Sequence, residues 1–206
     1  MNRSVIPVIS VLFALCTLSR AANADTAAQS SAERLAVGTC AGCHGAFGVS
    51  TLPKFPVLAA QQSSYLASQL KAFKSRTRGD PDALAFMWGI AASLDDTQIA
   101  ALAQYYSSQR AHTGPRTADA AAVARGREIY EHGIESQNVP SCGGCHGSNA
   151  EGMADFPRLA GQHSQYFLAQ MRSFQLSLRE AETMRTVALG LKPSDLEDLA
   201  AYFQSK

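Results

Sequence analysis

The 206 residues carry 18 Lys and Arg against 17 Asp and Glu, with 46% hydrophobic residues and five cysteines. This near-neutral balance argues against nucleic acid as a partner. No serine or cysteine triad, phosphate loop or paired-acid site stands out in the chain.

The first element is a leader. Arg3 precedes an apolar run from Val5 to Leu18, and Ala22-Asn23-Ala24 follows as a small-x-small site. That order predicts a secretory signal peptide over residues 1–24, cleaved after Ala24. The run is 14 residues long, too short to cross a bilayer comfortably. Cys16 lies inside it behind Leu15, where a lipoprotein site would want a small residue, and is discarded with the leader. Removing 24 residues leaves 182, with 16 Lys and Arg against 17 Asp and Glu and no later span long enough for a membrane. The expected destination is the bacterial periplasm, with at most peripheral membrane association.

A first domain is expected over residues 25–110. It carries Cys40-Ala41-Gly42-Cys43-His44, then Phe55-Pro-Val-Leu-Ala-Ala-Gln61. Tyr65, Gln69 and Phe73 recur four apart, which predicts a helix. Lys71, Lys74, Arg76 and Arg78 form a basic run without an acid, read as a solvated helix end in preference to a docking patch. Met87 and Trp88 precede a closing helix with an Ile99, Leu102, Tyr106 stripe, started by an Asp95–Gln98 capping box. Trp88 is expected to pack by a cofactor edge, with ordinary core packing as the competing account. Residues 111–119 are the expected linker.

The second domain, residues 120–206, repeats the first. Between Phe55–Phe73 and Phe156–Phe174, nine of 19 positions are identical at an offset of 101. Cys142-Gly143-Gly144-Cys145-His146 follows the first motif by 102, and the last helices are offset by 97. Leu196, Leu199 and Phe203 repeat the closing stripe. Lys192 stands at the cap position, a poor choice, but Pro193 suits the first helical turn. Strand signals are weak throughout, so the fold class is all-α.

Cys-x-x-Cys-His is the spacing of c-type haem attachment, in which two thiols add to the vinyl groups and the imidazole lies beside the iron. Zinc binding would leave both histidines unexplained, and a thioredoxin-like pair would need a βαβ pattern that is absent. Two covalent haems are therefore expected, on Cys40 and Cys43 and on Cys142 and Cys145, with His44 and His146 as proximal ligands. All four mature cysteines are then committed, and no disulfide is expected. Haem also supplies apolar surface and staples to domains of about 90 residues, small for an independent core; the apo-chain is expected to be poorly folded.

The repeat selects the sixth ligands. Met87 lies seven residues before Leu94, and of Met153, Met171 and Met184 only Met184 lies seven before the equivalent Leu191. Met171 is read as core packing; Met153 is too near His146 to reach the opposite haem face. His163 aligns with Gln62, so its use would require different ligands in the two copies. His/Met ligation raises the reduction potential and closes both axial positions, which suits electron transfer rather than catalysis at iron. Pro56 and Pro157 either offer carbonyls to the second nitrogen of His44 and His146 or are simple turn residues.

Taken together, these motifs resemble the cytochrome c4 family: two tandem class I cytochrome c domains with Cys-x-x-Cys-His, Phe-Pro-x-Leu-Ala-x-Gln, a Tyr-x-x-x-Gln helix and a Met before Ala-x-x-Leu. Ala60, where the family often has Gly, departs from the pattern, as do the apolar Ala83–Trp88 segment and Lys192. The resemblance implies two His/Met haems in pseudo-twofold domains. It also implies a periplasmic electron carrier, not an enzyme, serving redox partners such as an upstream quinol-oxidising complex and a membrane-bound terminal oxidase. Two alternatives are a cytochrome subunit of a larger dehydrogenase, similar to flavocytochrome sulfide dehydrogenases, and a haem peroxidase, which would need an open iron.

Overall fold

A computed structural model describes residues 30–115 and 119–206. The expected signal peptide and part of the linker lie outside the described residues. Each half is a set of short helices joined by long loops, and among the described residues the only β pairing is two isolated bridges, Ile134 with Val139 and Met153 with Phe156.

In the first half the chain is helical over 30–44. It widens into a π-turn at Ala36–Cys40 and ends in helix α1, Ala41–His44. Helix α2 spans Ser63–Lys74, a second π-turn at Ala83–Met87 runs into α3, Trp88–Ala92, and α4 spans Asp96–Ser107. The second half has α5, Ala120–His132, then α6, Gly143–His146, α7, Ser164–Gln175, α8, Glu182–Gly190, and α9, Pro193–Gln204.

Local chemistry starts these helices. Asp95 accepts from the Gln98 amide at 2.8 Å while Gln98 Oε1 accepts from the Asp95 amide at 2.9 Å, satisfying two amides that α4 cannot pair internally. At α9 the Lys192 side chain supplies no cap oxygen. Instead the Asp195 carboxylate reaches back to the Lys192 amide at 2.9 Å, and Pro193 fills the first turn.

The closing stripes are buried as their spacing predicts. Ile99, Leu102 and Tyr106 are the centre of one core with Leu66 and Ala36; Leu196, Leu199 and Phe203 join Tyr130, Phe167 and Phe174 in the other. In the second half α9 crosses α5 at Gly126, where an added Cβ would lie 2.1 Å from the Asp198 carbonyl oxygen and 2.8 Å from the Tyr202 Cβ. Only glycine lets the two backbones approach so closely.

The halves meet about a pseudo-twofold relation that carries the offset of 101 into space. Gln61 donates to the Arg158 carbonyl at 2.9 Å and accepts from the Arg158 amide at 2.7 Å. Gln162 does the same with Val57, at 3.1 and 2.9 Å. Arg78 and Arg179, also 101 apart, reach across to the other half. Arg78 donates to Gln69, Tyr166 and Gln170; Arg179 donates to Gln170, Tyr65 and Gln69.

This corrects the reading of the basic run as a solvated helix end at one residue, Arg78. Lys71, Lys74 and Arg76 are exposed, with Lys74 donating to the Leu94 carbonyl at 2.5 Å, but Arg78 is 5% exposed. The fold places Arg78 between two domains, where its cation is paired with Asp80 at 2.8 Å.

Candidate cofactor sites

Each proximal histidine ends a short helix and is then fixed by the loop that follows. His44 Nδ1 lies 3.1 Å from the Pro56 carbonyl and His146 Nδ1 lies 2.8 Å from that of Pro157. A carbonyl only accepts, so Nδ1 carries the proton in both rings and the lone pair sits on Nε2. The two imidazoles are 8% and 6% exposed, and burial lowers the pKa of each against the opposing effect of the proline carbonyl. Both are neutral, the form that binds metal. Phe55 and Phe156 present their edges to the two rings at the same centroid distance, 6.1 Å.

One continuous cavity of about 610 Å³ runs along both sites. Its wall includes Cys40, Cys43, His44 and Met87 from the first half and Cys142, Cys145, His146 and Met184 from the second. Leu66, Phe73, Leu102, Phe167, Phe174 and Phe203 supply apolar wall, and Arg78, Asp80 and Arg179 supply charge where the halves meet. Burial pushes the Cys40 thiol up, and it pushes the Cys142 thiol up to about 11 with Cys145 adding to the effect. The Tyr106 hydroxyl is buried in the wall beside Cys40 without a conventional hydrogen-bond partner.

Met87 ends the π-turn and packs with Phe73, Ala83, Ala91 and Trp88; Met184 packs against the second core from the first turn of α8. Trp88 takes the core-packing alternative. Its indole donates to the Arg78 carbonyl at 2.8 Å and does not form part of the cavity wall. Met171 is 3% exposed within the second core, and Met153 is 51% exposed. His163 is turned to the other half, where its Nε2 meets the Ser50 hydroxyl at 2.8 Å and the Ser50 carbonyl at 3.1 Å.

This wall fits a large, flat, mostly apolar group with two attachment points and an axial nitrogen in each half. The Cytochrome c family profile matches twice, over residues 30–109 and 123–206. Cytochrome c4 of Stutzerimonas stutzeri is 35% identical over 201 residues, covering 92% of this chain and 95% of that protein. The solved structure of cytochrome c4 from Acidithiobacillus ferrooxidans superposes with a TM-score of 0.77 at 35% identity, covering 81% of this chain and 98% of that one.

The chain belongs to the cytochrome c4 family.

As a cytochrome c4 it is a dihaem electron-transfer protein of two tandem class I cytochrome c domains, each with one covalently bound haem. A further relative is the thiosulfate dehydrogenase electron acceptor of Thiomonas intermedia (strain K12), 32% identical over 174 residues, covering 82% of this chain and 78% of that protein. Sequence reasoning missed the inter-domain set: Gln61, Gln162, Arg78, Arg179, Tyr65 and Tyr166. The signal was the shared offset of 101, which marks polar residues kept in both copies alongside the apolar ones.

Proposed function

We propose that the chain shuttles single electrons in the periplasm, from a quinol-oxidising complex towards a membrane-bound terminal oxidase. In this reading Cys40 and Cys43 hold the first haem and Cys142 and Cys145 the second. His44 with Met87 and His146 with Met184 supply the axial ligands, in domains spanning residues 25–110 and 120–206. Haem supplies a one-electron iron couple. The chain orients each imidazole through the Pro56 or Pro157 carbonyl, offers a soft thioether opposite, and surrounds both sites with apolar wall that excludes water.

The observation that carries this reading is the duplicated placement of a buried histidine, its Nδ1 against a proline carbonyl, and a methionine on the wall of one cavity. Such a pair, if it held the haem, would raise the potential and leave no iron position for a substrate. No helix among the described residues is long and apolar enough to cross a membrane. The ferric protein should show the weak far-red band of sulfur–iron ligation from two haems. Met87→Ala and Met184→Ala should each remove half of it and lower one potential. An unchanged band in either variant would unseat that ligand.

The likeness to a thiosulfate dehydrogenase electron acceptor favours a second reading, service as the acceptor subunit of a dehydrogenase. Affinity purification from native membranes and periplasm separates the two: an oxidase complex supports the shuttle, a stoichiometric dehydrogenase supports the subunit.

A further inference from the structure

The inter-domain glutamines touch the same loop that holds each histidine. His44 Nδ1–H donates to the Pro56 carbonyl at 3.1 Å. The N–H of that same peptide unit belongs to Val57, and it donates to Gln162 Oε1 at 2.9 Å. In the other half His146 Nδ1–H donates to the Pro157 carbonyl at 2.8 Å, and the Arg158 N–H of that peptide donates to Gln61 Oε1 at 2.7 Å. Each histidine is therefore one peptide group away from a glutamine of the opposite domain.

These glutamines are held firmly. Gln61 and Gln162 are 6% and 8% exposed. Each also donates through Nε2 to the carbonyl of the residue it accepts from, and each Oε1 takes a second amide from its own following residue, Gln62 at 3.0 Å or His163 at 3.1 Å. A peptide unit whose N–H is engaged has a more negative carbonyl oxygen, because hydrogen bonds in a chain polarise one another by roughly 10–30% per bond. A more negative oxygen draws the Nδ1 proton further and makes Nε2 a stronger donor to a metal, as outer partners of ligating histidines do.

We infer that Gln162 and Gln61 are positioning residues that set the electronic character of the proximal histidine in the opposite domain: Gln162 acts on His44, and Gln61 acts on His146. The inference rests on His44 and His146 being haem ligands. Its consequence is a crossed dependence, in which the potential of each haem is set partly by a side chain of the other domain. A bare interface contact would not have that property. Loss of the glutamine acceptor weakens the histidine as a donor, destabilises the ferric state and raises the potential.

The test is spectroelectrochemical titration of the holoprotein, with the two potentials assigned by which one falls in Met87→Ala. In Gln162→Leu the oxidised-to-reduced ratio of the first haem at fixed potential should fall about threefold, about 28 mV at 59 mV per tenfold for one electron, with the second haem unmoved. Gln61→Leu should do the reverse. Gln62→Ala is the control: Gln62 Nε2 donates across the junction to the Glu151 carbonyl at 3.1 Å but touches neither histidine's peptide, and both potentials should stay in place. Gln162→Glu keeps an acceptor oxygen and should leave the first potential at or below its starting value, which covers the case in which the leucine variant folds poorly. Equal shifts of both haems, a shift confined to the glutamine's own domain, or no shift overturns the inference. The far-red sulfur–iron band is recorded on the same samples. If it persists while the potentials stay fixed, the crossed dependence fails and the methionine assignment stands; if the unmodified protein lacks it, the methionine assignment has failed, and the histidine premise is not what failed.

Discussion

Replacing Arg78 by methionine should be among the most damaging single changes in the junction. The guanidinium donates to Asp80 at 2.8 Å, Gln69 at 2.7 Å, Tyr166 at 3.2 Å and Gln170 at 2.7 Å, and it lies 4.6 Å from the Phe73 ring centroid. Burial works against this charge, but Tyr166, Tyr65 and Asp80 more than offset it and hold the Arg78 pKa above the ordinary arginine value. The Arg78 and Asp80 side chains are 6% and 4% exposed. Methionine would fill much of the volume but strand the Asp80 carboxylate in a buried site. Removing one partner of a buried ion pair costs about 3–5 kcal/mol. The Lys54–Asp82 pair, at 41% and 43% exposure, belongs to the surface class worth about 0–1 kcal/mol. Guanidinium chloride unfolding of the ferric holoprotein at pH 7, followed by far-ultraviolet circular dichroism, should therefore place Arg78→Met about 3–5 kcal/mol below the parent and Lys54→Met within about 1 kcal/mol of it. Arg78→Met with Asp80→Leu should cost less than the two changes summed, because the stranded carboxylate is gone; the coupling should be about 1–3 kcal/mol. If Arg78→Met costs no more than Lys54→Met, the buried network is not a stabilising feature of the junction.

Two further predictions concern backbone and pH. Ala60 and Gly161 hold the same left-handed turn, at φ 55° and 77°, each donating its amide to a closing-helix carbonyl, Tyr106 or Phe203. Alanine is strained there, so Ala60→Gly should stabilise by about 1 kcal/mol, whereas Gly161→Ala would bring a Cβ within 2.4 Å of the His112 carbonyl oxygen and should destabilise by about 1–3 kcal/mol; thermal unfolding reads both. The pKa of His112 is lowered by burial, then by His163 and Arg158. Between its folded value and the unfolded value near 6.5, the unfolded chain binds more protons. Stability should thus be full above about pH 6.5 and decline as pH falls below it, and His112→Gln should flatten part of that decline in denaturant midpoints from pH 5 to 8.

The helices and the haem motifs were legible because periodicity and spacing report them directly. The stripes at Ile99–Tyr106 and Leu196–Phe203 needed only an apolar face, and the Asp95–Gln98 box only four residues. Lys192 was harder. The helix starts there because Asp195 supplies the oxygen, so the partner three residues on mattered more than the residue at the cap. Arg78 was misread for a different reason. A lone arginine in a basic run is ordinarily solvated, and its burial depends on Tyr166 and Gln170, which the chain brings close only after the domains have docked. The inter-domain role of the glutamines was hidden in the same way, since the amides they clamp belong to the other half. Only the equal offset of Gln61 from Gln162 and of Arg78 from Arg179 marked them beforehand.

With both irons closed by a histidine and a methionine, as proposed, the chain would move electrons and not turn over substrate. Carbon monoxide added to the fully reduced protein at neutral pH measures this most directly. The Soret and visible spectrum of both haems should stay unchanged, with binding appearing in one haem per molecule in Met87→Ala or Met184→Ala. Rapid, stoichiometric carbon monoxide binding by the unmodified protein would contradict that closure.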